Sequence, residues 1–103
     1  MIIASMIEKE ALDDIDKKKV GSVILNRLKK RMKLQIDATV IYALTEGKIP
    51  LGRALTLKDL KIKHPYNTYY IQGLPPNLIS YVGIKTIEIL LENYKTDFLF
   101  YFY

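Results

Sequence analysis

Ile3, Met6 and Ile7 are spaced three and four apart, and the next place on that stripe is taken by Glu10. The spacing predicts a helix with one face on a core, and it puts a carboxylate where the pattern asks for an apolar residue. Each helical residue turns the chain by about 100°, so Glu8 points about 160° away from Glu10, toward the side of Ala4, Ala11 and Ile15. The two glutamates therefore cannot act as a pair on one atom. "DDID" (residues 13–16) breaks this helix, and Asp16 is the expected N-cap of the next, whose stripe is Val20, Val23, Ile24 and Leu28.

Further on, Asp37 reads as the N-cap of a short helix through Val40, Ile41 and Leu44 that Gly47 ends. "GKIPLGRALTLKDLKI" predicts a loop or short hairpin and then a helical turn from Thr56, with Asp59 completing a capping box. "HPYNTYYIQGLPPNLIS" (residues 64–80) is loop by composition, with three prolines, a glycine and two asparagines, yet it carries three tyrosines. Val82 to Tyr94 returns to helical spacing through Ile84, Ile87, Leu91 and Tyr94. "FLFYFY" (residues 98–103) alternates Phe with Leu and Tyr and reads as a strand covered on both faces. The expected fold class is α+β: a mostly helical domain with a small β-sheet, its terminal strand near residues 97–103. No internal repeat or low-complexity tract occurs.

A chain of 103 residues, half of them apolar, suits a single domain with one core. With no cysteine there is no disulfide framework, thiolate nucleophile or cysteine zinc site. No apolar run approaches the roughly 20 residues that a membrane helix needs, and "MIIASMI" is too short and lacks a basic leader. The net charge of +5 is concentrated in Lys17–Lys19 and in "RLKKRMK" (residues 27–33). Such a cluster is a solvated helix face or a surface for a polyanion: nucleic acid, anionic lipid or cell-wall polymer.

Glu10 has two readings. It is a buried glutamate satisfied by an arginine or by backbone amides, or it is a general acid whose pKa burial would raise, able to protonate a glycosidic oxygen. Lone His64, before a proline and without ligand spacing, reads as a surface-loop residue, so no metal site is expected. No phosphate loop is present, and Ser5, Ser22 and Ser80 lack the context of a nucleophile elbow. "YNTY" (residues 66–69) is either a structural turn or a sugar-facing loop. In the second case its tyrosines would stack on rings while Asn67 and Thr68 pair with hydroxyls and amides.

"ASMIEKEA", "KVGSVILNRLKKRMKLQIDATVIYAL", "LTLKDLKIKHPYNTYYIQGLPPNLIS" and "KTDFLFYF" follow one another in an order and spacing that resemble the YceG-like family of endolytic murein transglycosylases. The resemblance covers essentially the whole chain. It implies a lyase that cuts peptidoglycan between N-acetylmuramic acid and N-acetylglucosamine without water, leaving an anhydro-muramic end. It implies that the second glutamate of "EKE", Glu10, is the single general acid and base, with Glu8 in a supporting role. It also implies that Asn26, Gln35, Asp37, Thr39, Tyr66, Asn67 and Thr68 line or support the cleft, with Asn67 and Gln35 the foremost substrate-facing residues. Asp37 is the one spare carboxylate for activating water, and N-capping accounts for it equally well.

No cofactor is expected. The implied partners are peptidoglycan glycan strands, with cell-wall synthesis proteins as further candidates and no nucleic acid. The resemblance implies a full-length protein anchored in the bacterial cell membrane, its catalytic domain on the outer, periplasmic side. Against that pattern, residues 1–103 read as a single, soluble catalytic-domain piece truncated at both ends, with no N-terminal anchor, no LysM-like module and no C-terminal tail. Ala38 stands where the family usually has the proline of "DPT", and the proline usual before "KTD" is replaced within "ENYK". Two alternatives remain: a catalytically weak or inactive peptidoglycan-binding fragment, and a nucleic-acid binder using the lysine face.

Overall fold

The computed structural model describes residues 1–93. Helix α1 (Ile2–Glu10) is the centre of the domain, packed against α2 (Asp14–Lys29), α3 (Asp37–Thr45) and α5 (Ile84–Asn93). Short α4 (Leu57–Leu60) lies against α3. Ile3, Ala4, Ser5, Met6 and Ile7 are buried one after another. So α1 is not the one-faced helix that its stripe predicts. It is surrounded, and this holds only for its first two turns: Lys9 and Glu10 emerge into solvent.

Around α1 the core consists of Ile24 and Leu25 from α2, Leu34 and Ile36 from the α2–α3 connection, Ile79, and Leu90 from α5. Fully burying side chains such as Met6 and Ile7 stabilises the fold by about 1.5–3 kcal/mol each. Helix α2 starts earlier than expected. Asp13, not Asp16, is its N-cap, and the Asp13 carboxylate accepts the Asp16 N–H at 2.8 Å. Its buried face runs through Gly21, Ile24 and Leu25 and leaves Val23 exposed. The rotation follows from a close crossing with α5. A Cβ on Gly21 would sit 2.3 Å from the Asn93 amide nitrogen, which donates to the Lys18 carbonyl at 3.1 Å.

Helix α5 is rotated for a related reason. The apolar stripe through Ile84, Ile87 and Leu91 does not face inward, since Ile84 and Leu91 are exposed. The buried face is Thr86, Ile89, Leu90 and Asn93. Its two polar members have partners waiting: Thr86 bonds Glu8, and Asn93 bonds α2. A satisfied polar group can be buried without the desolvation cost that makes an unpaired one expensive.

The expected small β-sheet is not seen: among the described residues there is no strand, and that part of the chain is all-α. The segment read as a possible hairpin is a loop entering α4. Side chains organise it, because Arg53 grips both Asp59 oxygens (2.6 and 3.1 Å) and Thr56 and Asp59 form the expected capping box. Backbone groups held this way have no need of a paired strand. The terminal strand expected near residues 97–103 lies outside the described residues. Asp37 is likewise not an N-cap. It is the first residue of α3, with Ile36 before it, and the helix ends at Glu46, in the left-handed region at φ 55°, followed by Gly47.

Candidate active site

The buried hydroxyls of Thr39 and Thr68 join the start of α3 to the 64–80 loop. Thr39 Oγ1 donates to the Ile36 carbonyl at 2.6 Å and accepts the Thr68 N–H at 3.2 Å. That leaves Thr68 Oγ1 to donate to Thr39 Oγ1 (2.7 Å) while it accepts the Ile36 N–H (2.8 Å). Every group in this set has a partner. Asn67 is equally occupied: its amide nitrogen donates to the Leu60 and Ile62 carbonyls (3.0 and 2.8 Å), and its oxygen accepts the Tyr69 N–H (2.9 Å). Asn67, Thr39 and Thr68 are fully buried. In this structure they are scaffold, not surface.

The scaffold displays a different set. Leu34 and Ile36 point inward, so Gln35 and Asp37 between them face solvent. Gln35 takes φ 54°, rarely adopted by a non-glycine residue, and its N–H donates to the Thr68 carbonyl at 3.2 Å. Arg27 holds the same stretch from behind, donating to the Leu34 carbonyl at 2.5 Å. Asp37 Oδ1 accepts the Tyr69 hydroxyl at 2.5 Å.

Glu10, on the last residue of α1, reaches the same corner. Its Oε1 accepts the Ala38 N–H at 2.9 Å, so its carboxylate rests on the first turn of α3. The backbone donors there suit a negative group. The burial that the stripe predicts for Glu10 is absent, because the core ends one turn earlier. The Tyr69 hydroxyl is pushed up to about 12, first by burial, then by its bond to Asp37 and the Asp37 charge. The Glu10 charge acts in the same direction and the Arg27 charge opposes it.

Glu8 turns the other way, as the helical geometry requires. It is half-buried and accepts from Gly83 N at 2.9 Å and from Thr86 Oγ1 at 2.5 Å, anchoring the start of α5 to α1. The Thr86 hydroxyl and then the Gly83 amide hold its carboxyl below the usual carboxylate range, against a smaller opposing effect of burial. Asn26 is half-buried, and its amide oxygen is the one buried side-chain polar atom without a hydrogen-bond partner among the described residues. Tyr66 packs its ring on Tyr42 at 4.7 Å, a tilted pair, and its N–H donates to His64 Nδ1 at 3.1 Å.

A cleft of about 530 Å³ has Ala38, the residue whose N–H Glu10 accepts, in its wall; Glu10, Gln35, Asp37 and Tyr69 are not among its lining residues. Helix α3 contributes Ile41, Tyr42 and Thr45, the following loop Lys48 and Ile49, and the far wall is Ser80 and Tyr81. Lys9, the neighbour of Glu10, completes the rim. The far wall is fixed from α1: buried Ser5 accepts the Ile79 N–H at 3.1 Å through its hydroxyl, and its carbonyl accepts the Ser80 hydroxyl at 3.0 Å. Of the residues expected at the site, Glu10, Gln35 and Asp37 are on the surface, Glu10 bonded to the N–H of the residue after Asp37. Thr39, Asn67 and Thr68 lie behind them, Tyr66 behind Tyr42, and Glu8 at another junction. Sequence reasoning missed Tyr42, Tyr81 and Lys9, and reached Tyr69 only as one of the tyrosines of "YNTY".

The geometry defines a helical domain presenting one solvent-facing glutamate on a helix start, beside an aromatic cleft. The chain belongs to the YceG-like family, whose profile matches residues 1–103. It is 46% identical over 101 residues to the endolytic murein transglycosylase of Bacillus subtilis and 34% identical over 106 residues to that of Streptococcus pneumoniae. Each match covers 98% of this chain, which spans 27% and 18% of those proteins. A YceG-like protein of Listeria monocytogenes, known from a 2.6 Å crystal structure, superposes with a TM-score of 0.76 at 46% identity, over 86% of this chain and 28% of that one.

Proposed function

We propose that this chain carries the catalytic acid of a peptidoglycan lytic transglycosylase, with Glu10 as its single acid and base. The observation that carries the reading is the Glu10 carboxyl, solvent-facing beside a ring-lined cleft and fixed by the Ala38 N–H. The names of the relatives over 98% of the chain supply the reaction class. Glu10 gives its proton to the glycosidic oxygen as the C1–O bond of N-acetylmuramic acid breaks. The sugar's own C6 hydroxyl closes on C1, and its proton returns to Glu10, leaving a 1,6-anhydro end. A hydrolase of the inverting kind needs a second carboxylate free to activate water. Asp37, the spare carboxylate of the resembling motif, already holds the Tyr69 hydroxyl.

Gln35 and Asp37 contact the glycan on this reading, and Tyr66, Asn67, Thr68 and Thr39 keep their backbone in place. The full-length protein acts at the outer side of the cell membrane. Among the described residues no helix is long and apolar enough to cross one.

The test is digestion of purified peptidoglycan by the chain and by Glu10→Gln, read by mass spectrometry. Anhydro-ended muropeptides should appear with the former and fall at least about 100-fold with the latter. Products undiminished in Glu10→Gln overturn the assignment. Binding without products from either protein points instead to glycan binding without cleavage.

A further inference from the structure

The cleft beside Glu10 is more than a glycan groove needs. Its lining holds two cations, Lys9 and Lys48, and no carboxylate. Lys48 reaches Glu46 at 3.3 Å, but both side chains are largely exposed, so that pair is readily exchanged. Between the lysines lie the apolar surfaces of Ile41, Tyr42, Ile49 and Tyr81, with Tyr81 80% and Ile49 67% exposed. The Ser80 and Thr45 hydroxyls of the lining are engaged inside the fold, with the Ser5 and Tyr81 carbonyls and with the Ile41 carbonyl and Gly47 N–H, so the lysines and the apolar surfaces set the character of the cleft. A glycan strand is neutral along its sugars. The acidic part of peptidoglycan is the short peptide on each muramic acid, with free carboxylates alternating with small apolar side chains. From this charge complementarity we infer that the cleft takes that acidic stem peptide, with Lys9 and Lys48 pairing its carboxylates and Tyr81 covering its apolar side chains. The inference rests on the reading of the site as a peptidoglycan site. It adds that the chain selects strands still bearing peptides.

Glycan strands with intact stem peptides and strands stripped of them by an amidase should be compared for binding to this chain. Two partly exposed ion pairs correspond to a preference of about five- to tenfold for the peptide-bearing strands. The preference should fall to about one in Lys9→Gln/Lys48→Gln and persist in Lys58→Gln, an exposed lysine on α4 that does not line the cleft. Equal affinity of the wild-type chain for both strands overturns the inference, as does a preference that survives the double substitution. Binding is read apart from cleavage, so the two claims separate. Preference without anhydro products leaves the peptide site standing and removes the transglycosylase, whereas anhydro products without preference do the reverse.

Discussion

Thr68→Val tests whether the 64–80 loop is held by buried hydroxyls. The substitution keeps shape and volume and removes one oxygen. That oxygen accepts the Ile36 N–H at 2.8 Å and donates to Thr39 Oγ1 at 2.7 Å. Afterwards the Ile36 N–H has no acceptor in a site where Thr68, Thr39 and Leu34 are fully buried. Orphaning a buried donor costs about 1–3 kcal/mol, and the lost hydroxyl pair adds about 1 kcal/mol. The expected loss is therefore about 2–4 kcal/mol, or a fall in Tm of at least 10 °C or so for a domain of this size. Urea unfolding followed by far-UV circular dichroism measures it, with an unchanged m-value confirming that the native fold is retained. Thr39→Val should cost a similar amount. The double variant should cost less than the sum, because the bond between the hydroxyls is lost only once, leaving a coupling of about 0.5–1.5 kcal/mol. A loss below about 0.5 kcal/mol for Thr68→Val, or strict additivity, would refute the network and return Thr68 to the list of glycan-facing residues.

Glu8→Gln should destabilise the chain by about 1–2 kcal/mol at neutral pH, a figure reduced for its partial exposure. The Glu8 carboxyl lies below its ordinary 4.5 in the folded chain, so its contribution is present above pH 4.5 and is lost as pH falls through the folded value. The gap between wild type and variant in thermal unfolding should accordingly narrow in acid, and a gap that widens there would exclude the bond to Thr86 as its source. Gly21→Ala should destabilise by about 1–3 kcal/mol despite alanine's better helix propensity, since Asn93 must leave the Lys18 carbonyl; stabilisation in a melting experiment would contradict the close α2–α5 crossing. In an alkaline absorbance titration, Tyr69→Phe should remove one tyrosine that ionises near pH 12. A difference spectrum centred near pH 10, where ordinary tyrosines titrate, would place Tyr69 in solvent and away from Asp37.

Periodicity located α1, α2, α3 and α5 and the turn at Thr56, because apolar spacing is a local property of a helix packed on anything. It misplaced burial on α1, α2 and α5, each time because a packing partner or the edge of the core lies far off in the sequence. On α5 it preferred Ile84 and Leu91 to Thr86 and Asn93, since a single sequence does not reveal that Glu8 and the Lys18 carbonyl wait about 75 residues away to satisfy two buried polar groups. On α1 it put Glu10 on an inward stripe without the knowledge that the core ends at the preceding turn. The expected sheet failed similarly, because Arg53 and Asp59 organise their loop through side chains. Within "YNTY", Asn67 and Thr68 look like sugar-binding residues by type, but Asn67 is taken up by backbone partners and Thr68 by the Ile36 N–H and the Thr39 hydroxyl, while Tyr69 reaches Asp37. Local hydrogen-bonding residues are ambiguous in this way in any loop, since the donors and acceptors that would recognise a hydroxyl are the ones that can close a turn. What separates the two uses is burial. By that criterion Glu10, Gln35 and Asp37 face outward while Thr39, Asn67 and Thr68 do not, and a bulky polymer can reach only the first three.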